Sequence, residues 1–145
     1  MSRIKIDLPE KFFFSTTIPV RITDVNYGNH VGNDAVLSII HEARMQFLGS
    51  FGYTELNFDG VGMVMKDVGI EFRAELFYGD IVIASVASAG FTKVSFDLYY
   101  KLEKEIAGQL KTVAIAKSAM VCYDYSLKKI VALPGRALEK LKSEN

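Results

Sequence analysis

The chain has 145 residues, half of them hydrophobic, and its 17 basic side chains balance 17 acidic ones. That length suits a single domain spanning residues 1–145 with a sizeable core. A formal charge of zero removes the long-range field that draws proteins onto nucleic acid, so any anionic ligand must be met by a local cluster.

Cys122 is the only cysteine, which excludes an intrachain disulfide and fits a reducing compartment. The stretch "SAMVCYDY" places it in a buried strand, where a free thiol behaves as a small hydrophobe. The first residues, "MSRIKIDLPEKFFF", contain only a short apolar run, FFF, too brief for a signal-peptide core or a membrane span. A cytoplasmic protein with no membrane partner is expected.

Residues 11–22, "KFFFSTTIPVRI", are aromatic and β-branched and predict a first strand, with Pro19 confining it to an edge or a bulge. A polar segment follows over residues 23–34, "TDVNYGNHVGND". Val36, Ile40, Ala43, Phe47 and Phe51 then recur at helical spacing, with Ile39 and Leu48 widening the stripe. Ser38, Glu42 and Gln46 fall on the other face, and Gly49 and Gly52 mark the helix end.

Downstream the period changes to two. Residues 61–72, 80–91, 93–103 and 110–125 read as strands, and Gly79-Asp80, Gly90 with Thr92, and "KEIAG" (104–108) read as turns. Neighbouring strands are expected to pair as antiparallel hairpins in meander order. "PGRALEKLKSE" closes the chain as a helix starting on Pro134. The fold class is α+β: an antiparallel sheet of about five strands wrapped around one long central helix.

The polar segment reads Asp24-Val25-Asn26-Tyr27-Gly28-Asn29-His30-Val31-Gly32-Asn33, and Glu42-Ala43-Arg44 follows on the helix. Further on come "FRAELFYGDIVI" (72–83) and "KKIVALPGRALEKL". In that order these stretches resemble hot-dog fold thioesterases related to 4-hydroxybenzoyl-CoA thioesterase, which carry D-x-D-x-x-G-H-V-N-N, E-A-R, R-x-x-x-x-G-D and V-x-L-P. The resemblance spans nearly the whole chain. It implies hydrolysis of an acyl-CoA or acyl-carrier-protein thioester, and a homodimer or homotetramer joined through sheet edges. No cofactor is implied, because coenzyme A is part of the substrate. The chain departs from the pattern at three places: Asn26 stands where the family's catalytic carboxylate is usual, Asn29 where its glycine is, and Gly32 where the first asparagine of its N-N pair is.

Thioester hydrolysis needs an activated water and donors for the developing oxyanion. A helix N-terminus supplies unpaired amides and partial positive charge, and the resemblance puts those donors at Gly32 and Asn33. The catalytic candidates are Asp24, Asn26, His30 and Asp34. In the expected scheme Asp24 or Asp34 works with His30, the group best suited to proton transfer near neutral pH, while Asn26 orients the water. Each has a structural role open to it as well: Asp24 as a turn cap, Asn33 or Asp34 as helix N-cap, His30 as a hydrogen-bonded structural residue. Glu42 is expected to pair with Arg44 or another base, and His41 to be structural.

Arg73 and Lys93 are candidates for the coenzyme A phosphates. His30 and His41 lie eleven positions apart with no ligand set around them, so no metal is expected. The competing reading is an acyl-CoA or acyl-carrier binding module that lost hydrolysis when the acid became Asn26. A hot-dog dehydratase acting on enoyl-CoA is less favoured, because this chain has no second histidine or acid at the spacing such enzymes use. A ligand-controlled DNA-binding regulator is weaker still, because this chain has no residues left over for a helix-turn-helix once the hot-dog elements are placed.

Overall fold

The computed structural model describes residues 1–143. In chain order it contains β1 (Phe14–Pro19), a 3-10 turn (Ile22–Asp24), α1 (Asn33–Gly49), β2 (Gly62–Phe72), β3 (Ile81–Ala89), β4 (Ser95–Ile106), β5 (Gln109–Asp124), a short β6 (Lys129–Ile130) and α2 (Gly135–Ser143). The expected end of the terminal helix at Glu144 lies outside the described residues.

All pairings are antiparallel, in the order β1-β3-β4-β5-β2, with β6 added to β5. The expected meander therefore holds for β3, β4 and β5 but not for β2, which leaves its sequence neighbour and pairs with β5. Segment 73–80 crosses over three strand spacings, about 14 Å, a reach easily covered by so many residues. Gly79-Asp80 accordingly closes a local turn, with the Asp80 amide donating to the Phe77 carbonyl at 3.0 Å, rather than a β2–β3 hairpin. The β4–β5 connection is a true two-residue hairpin: Ala107 and Gly108 both take positive φ (52° and 80°), as a twist-matched turn requires. Pro19 ends β1 on the sheet edge, where its missing N–H breaks no ladder.

The helical stripe is buried as its spacing predicts: Val36, Ile39, Ile40, Ala43, Phe47 and Leu48 enter the core. Phe51 lies beyond the helix end, its ring against Phe47 at 5.2 Å. The sheet meets this stripe with alternate residues of β4, namely Phe96, Leu98, Tyr100 and Leu102, all fully buried. Each such side chain contributes about 1.5–3 kcal/mol by leaving water. Among the described residues no helix is long and apolar enough to cross a membrane.

Arg44 carries a charge into this core. Arg44, 4% exposed, donates from Nε to Glu55 at 3.0 Å and from Nη1 to the Tyr100 hydroxyl at 3.2 Å, and Tyr100 shares a 2.8 Å bond with Ser118. Burial alone would lower the Arg44 pKa, but Tyr100 and Glu55 outweigh it and raise it. Glu42, expected as the partner of Arg44, instead accepts from Gln46 Nε2 at 3.0 Å. It sits on the exposed face of α1, whereas Arg44 points inward. His41 Nε2 meets the same Glu55 oxygen, Oε1, at 2.9 Å, a structural role.

Candidate active site

The polar segment folds as a tight loop because its own backbone closes it. Val25 and Val31 form a bridge, the Asn26 amide donates to the His30 carbonyl at 2.9 Å, and the Asn29 amide donates to the Asn26 carbonyl at 3.1 Å. Asn26 Oδ1 accepts the Gly28 amide at 2.9 Å, an Asx turn that sets the tip. Asn29 has φ 63°, the left-handed region open to glycine and, next best, to asparagine. The Val31 amide then donates to the Leu76 carbonyl at 2.8 Å, fastening the loop to segment 73–80.

The helix begins directly after this anchor. Gly32 is its N-cap, without a side-chain cap bond, so neither Asn33 nor Asp34 takes the capping role considered for them. The Gly32 amide is already engaged, donating to the Asp24 carbonyl at 3.2 Å. Among the described residues the amides of Asn33, Asp34 and Ala35 have no acceptor, and they carry the positive end of the helix dipole.

His30 is half-buried beside them. Its Nδ1 lies 3.2 Å from the Val31 carbonyl, and a carbonyl can only accept, so in the neutral ring Nδ1 holds the proton and Nε2 the lone pair. Nε2 and Asn26 Oδ1 flank one point, the place a Cβ on Gly28 would occupy, at 3.1 and 3.2 Å. A Cβ at Gly28 would crowd these two groups, which could relieve it only by shifting a few tenths of an ångström.

His30 and Asn33 line a cleft of about 310 Å³ together with Val36, Arg73, Glu75 and Ala114, among others. Its apolar floor comes from α1 and β5, and its polar rim from the loop and segment 73–80. Arg73 is held by Glu71 at 2.9 Å and is 47% exposed. Its amide and that of Ala74 both donate to the carbonyl of Val113, at 2.9 and 3.1 Å. Val113 is the extra residue where the β4–β5 register shifts between Leu102 and Glu103; such bulges bend a strand and re-aim its neighbours.

Asp24 and Lys93 do not converge here. Asp24, 6% exposed, accepts the Arg21 amide at 2.8 Å and Arg21 Nη2 at 3.1 Å. It lines a separate groove between β1 and α1, with Ser38, His41 and Glu42. The turn-cap role describes it. Asp34 is exposed on the first turn of α1 and lines neither cleft, but its Oδ1 lies 2.6 Å from the place a Cβ on Gly32 would occupy, with Asn26 Nδ2 3.6 Å from the same point. Lys93 sits in the β3–β4 turn, at the far end of a nine-residue strand, roughly 26 Å along β3 from the Arg73 end. Two residues of this region are not singled out by the sequence: Glu75, which lines the His30 cleft, and Gly28. The loop's glycine content was the available signal for Gly28; Glu75 gave none.

The sequence profile of the thioesterase-like superfamily matches residues 20–141. No curated protein matches the chain in sequence. Among solved structures, a thioesterase-superfamily protein from Jannaschia sp. CCS1 superimposes with TM-score 0.82 at 18% identity, covering 94% of this chain and 85% of that one. A probable thioesterase from Escherichia coli gives TM-score 0.73 at 27% identity, over 90% and 97%. An Asp-to-Asn mutant of 4-hydroxybenzoyl CoA thioesterase, complexed with 4-hydroxybenzoyl CoA, gives 0.80 at 13% identity, over 88% and 97%.

Proposed function

We infer the function from the premise that this chain belongs to the thioesterase-like superfamily and has the hot-dog fold: it hydrolyses the thioester of an acyl-CoA or acyl-carrier protein in the His30–Asn33 cleft. The observation that carries this reading is the juxtaposition of unpartnered α1 amides with a histidine whose Nε2 is free to act as base.

In the proposed reaction the thioester carbonyl oxygen accepts the Asn33 amide. Gly32 becomes a second donor only if its amide leaves the Asp24 carbonyl, so Asn33 is the principal one. A water attacks the carbonyl carbon and gives its proton to His30 Nε2, while negative charge collects on the oxygen facing the amides. The C–S bond then breaks, and the departing thiolate takes the proton from His30. Asn26, whose Oδ1 and the His30 Nε2 both lie close to Gly28, is proposed to orient the water. Glu75 takes the place proposed for Asp24 or Asp34, since it is the carboxylate that shares the cleft with His30. Arg73 meets the coenzyme A phosphates. Lys93 could do so only from a second copy.

The eleven-residue edge strand β2 has one side unpaired among the described residues, and a homodimer joined along it is proposed. The test is thiol release from short, medium, long and aromatic acyl-CoAs. Turnover on at least one supports the reading; silence on all, by a folded protein, rejects it.

One observation favours a second reading, the non-catalytic acyl-CoA binding module. Asn26 replaces the family's usual acid, and an Asp-to-Asn mutant of 4-hydroxybenzoyl CoA thioesterase was captured with 4-hydroxybenzoyl CoA bound. Binding of an acyl-CoA without thiol release decides for the module.

A further inference from the structure

Segment 73–80 forms one wall of the cleft, yet it contains no helix or strand, so its shape must come from bonds to its surroundings. Its first residues are fixed by the Val113 carbonyl. Its centre is fixed by Lys104 of β4. That residue takes an inward position in a strand whose other inward residues are Phe96, Leu98, Tyr100 and Leu102, and it is 9% exposed. The ammonium donates to the Glu75 carbonyl at 2.8 Å and to Asp80 Oδ2 at 3.1 Å, and stands 5.0 Å from the centre of the Phe77 ring. Asp80 Oδ2 also accepts the Phe77 amide at 2.8 Å. Between these ties the Leu76 carbonyl holds the Val31 amide, and the Val31 carbonyl holds the His30 ring.

A leucine at position 104 would continue the apolar row without desolvating a charge, which costs free energy unless bonds compensate it. What a leucine could not do is grip a backbone carbonyl, a carboxylate and a ring face in one loop. The geometry points to Lys104 as a positioning residue that sets the width of the cleft between segment 73–80 and His30–Asn33, and so limits the size of acyl group admitted. This rests on the hydrolytic reading above. Lys104 touches no substrate; it acts through Glu75, Leu76 and Phe77.

The experiment compares the wild type with Lys104→Met, which keeps the stem and removes the ammonium, with Lys104→Arg, which keeps the charge, and with Asp80→Asn, a milder loosening should the Met variant fail to fold. Two readouts are taken: amide hydrogen exchange, and kcat/KM for acetyl-CoA against benzoyl-CoA and dodecanoyl-CoA. Lys104→Met is expected to speed exchange at Val31 and Phe77 while Ile40 and Leu98 keep their protection. It should also raise the large-to-small kcat/KM ratio by about tenfold or more, the scale on which one methylene is discriminated in a tight pocket. Asp80→Asn should move both readouts in the same direction by less, and Lys104→Arg should return them towards wild type. Exchange that quickens uniformly through the core, or a ratio that stays constant, overturns the proposal. If the wild type hydrolyses none of the three, it is the hydrolytic reading that fails. The ratio is then taken from Kd values of the matching non-hydrolysable thioethers: a shift upholds the positioning role and no shift overturns it.

Discussion

Asn29 sits at a left-handed backbone position, φ 63°, where the family pattern places glycine. Asparagine is the side chain that tolerates this region next best, at a cost of about 1 kcal/mol, so the departure preserves the loop. The Asn26 departure is different, because it removes a carboxylate from the tip of that loop and leaves His30 as the group suited to take a proton. His30→Ala is therefore expected to lower kcat by about 10² to 10⁴-fold, the usual contribution of a positioned acid–base group, with an unchanged circular dichroism spectrum. Retention of wild-type turnover would remove His30 from the mechanism. Cys122 yields a prediction of another kind. Burial pushes its thiol from 9.0 up to about 11. Below pH 9 it is protonated in both folded and unfolded chains; between 9 and 11 the unfolded chain releases the proton first, so stability falls as pH rises. The loss totals roughly 2–3 kcal/mol by linkage. Urea melts at pH 8 and pH 11, on wild type and Cys122→Ala, measure it: the pH-dependent loss should be smaller in the variant by that amount.

At the scale of elements, α1 shows what periodicity can and cannot reveal. Its buried stripe is legible because a 3.6-residue repeat survives in the sequence whatever the helix packs against. Arg44 is not legible: a guanidinium among Ala43, Phe47 and Leu48 reads as a charge near the edge of the stripe, and its partners lie outside the helix, Glu55 beyond its end and Tyr100 on β4. Removing it takes one of two partners from the buried Tyr100 hydroxyl, which keeps Ser118, and one of two from Glu55 Oε1, which keeps His41. Arg44→Met should cost about 3 kcal/mol, the lower end for breaking a buried charged pair, as a shift in the urea midpoint. A cost under about 0.5 kcal/mol, typical of a surface site, would contradict the contacts described. The loop–helix junction was legible in kind, since polar residues ahead of an apolar helix advertise free amides. Which amides are free was not, because the Gly32 N–H is taken by a backbone carbonyl that no side-chain pattern reports.

For the molecule as a whole, strands were visible and their order only partly so. Local hairpins announce themselves through turn residues, as Ala107-Gly108 does. The move of β2 to the far side of β5 depends on which edge closes over α1, a non-local choice that leaves no mark at Gly79-Asp80. The same non-locality hid Glu75, which reaches the His30 cleft only because segment 73–80 crosses the sheet. It also kept Lys93 and Arg73 apart, although both lie next to strand ends. The exposed backbone of β2 predicts a dimer: light scattering should give twice the chain mass, 16.1 kDa, and a stable joint should bury on the order of 1,600 Å². A strictly monomeric protein at micromolar concentration would mean the edge is protected by its own charges, Lys66, Asp67 and Glu71.

The central claim is that the thioester oxygen is held by the first amides of α1 beside His30. Amide chemical-shift mapping with a non-hydrolysable acyl-CoA thioether tests it most directly. The largest changes are predicted at Asn33, His30 and Arg73, with the Asn33 proton moving downfield as it gains an acceptor. Shifts gathered instead around Asp24, Ser38 and Glu42, with Asn33 unmoved, would contradict it.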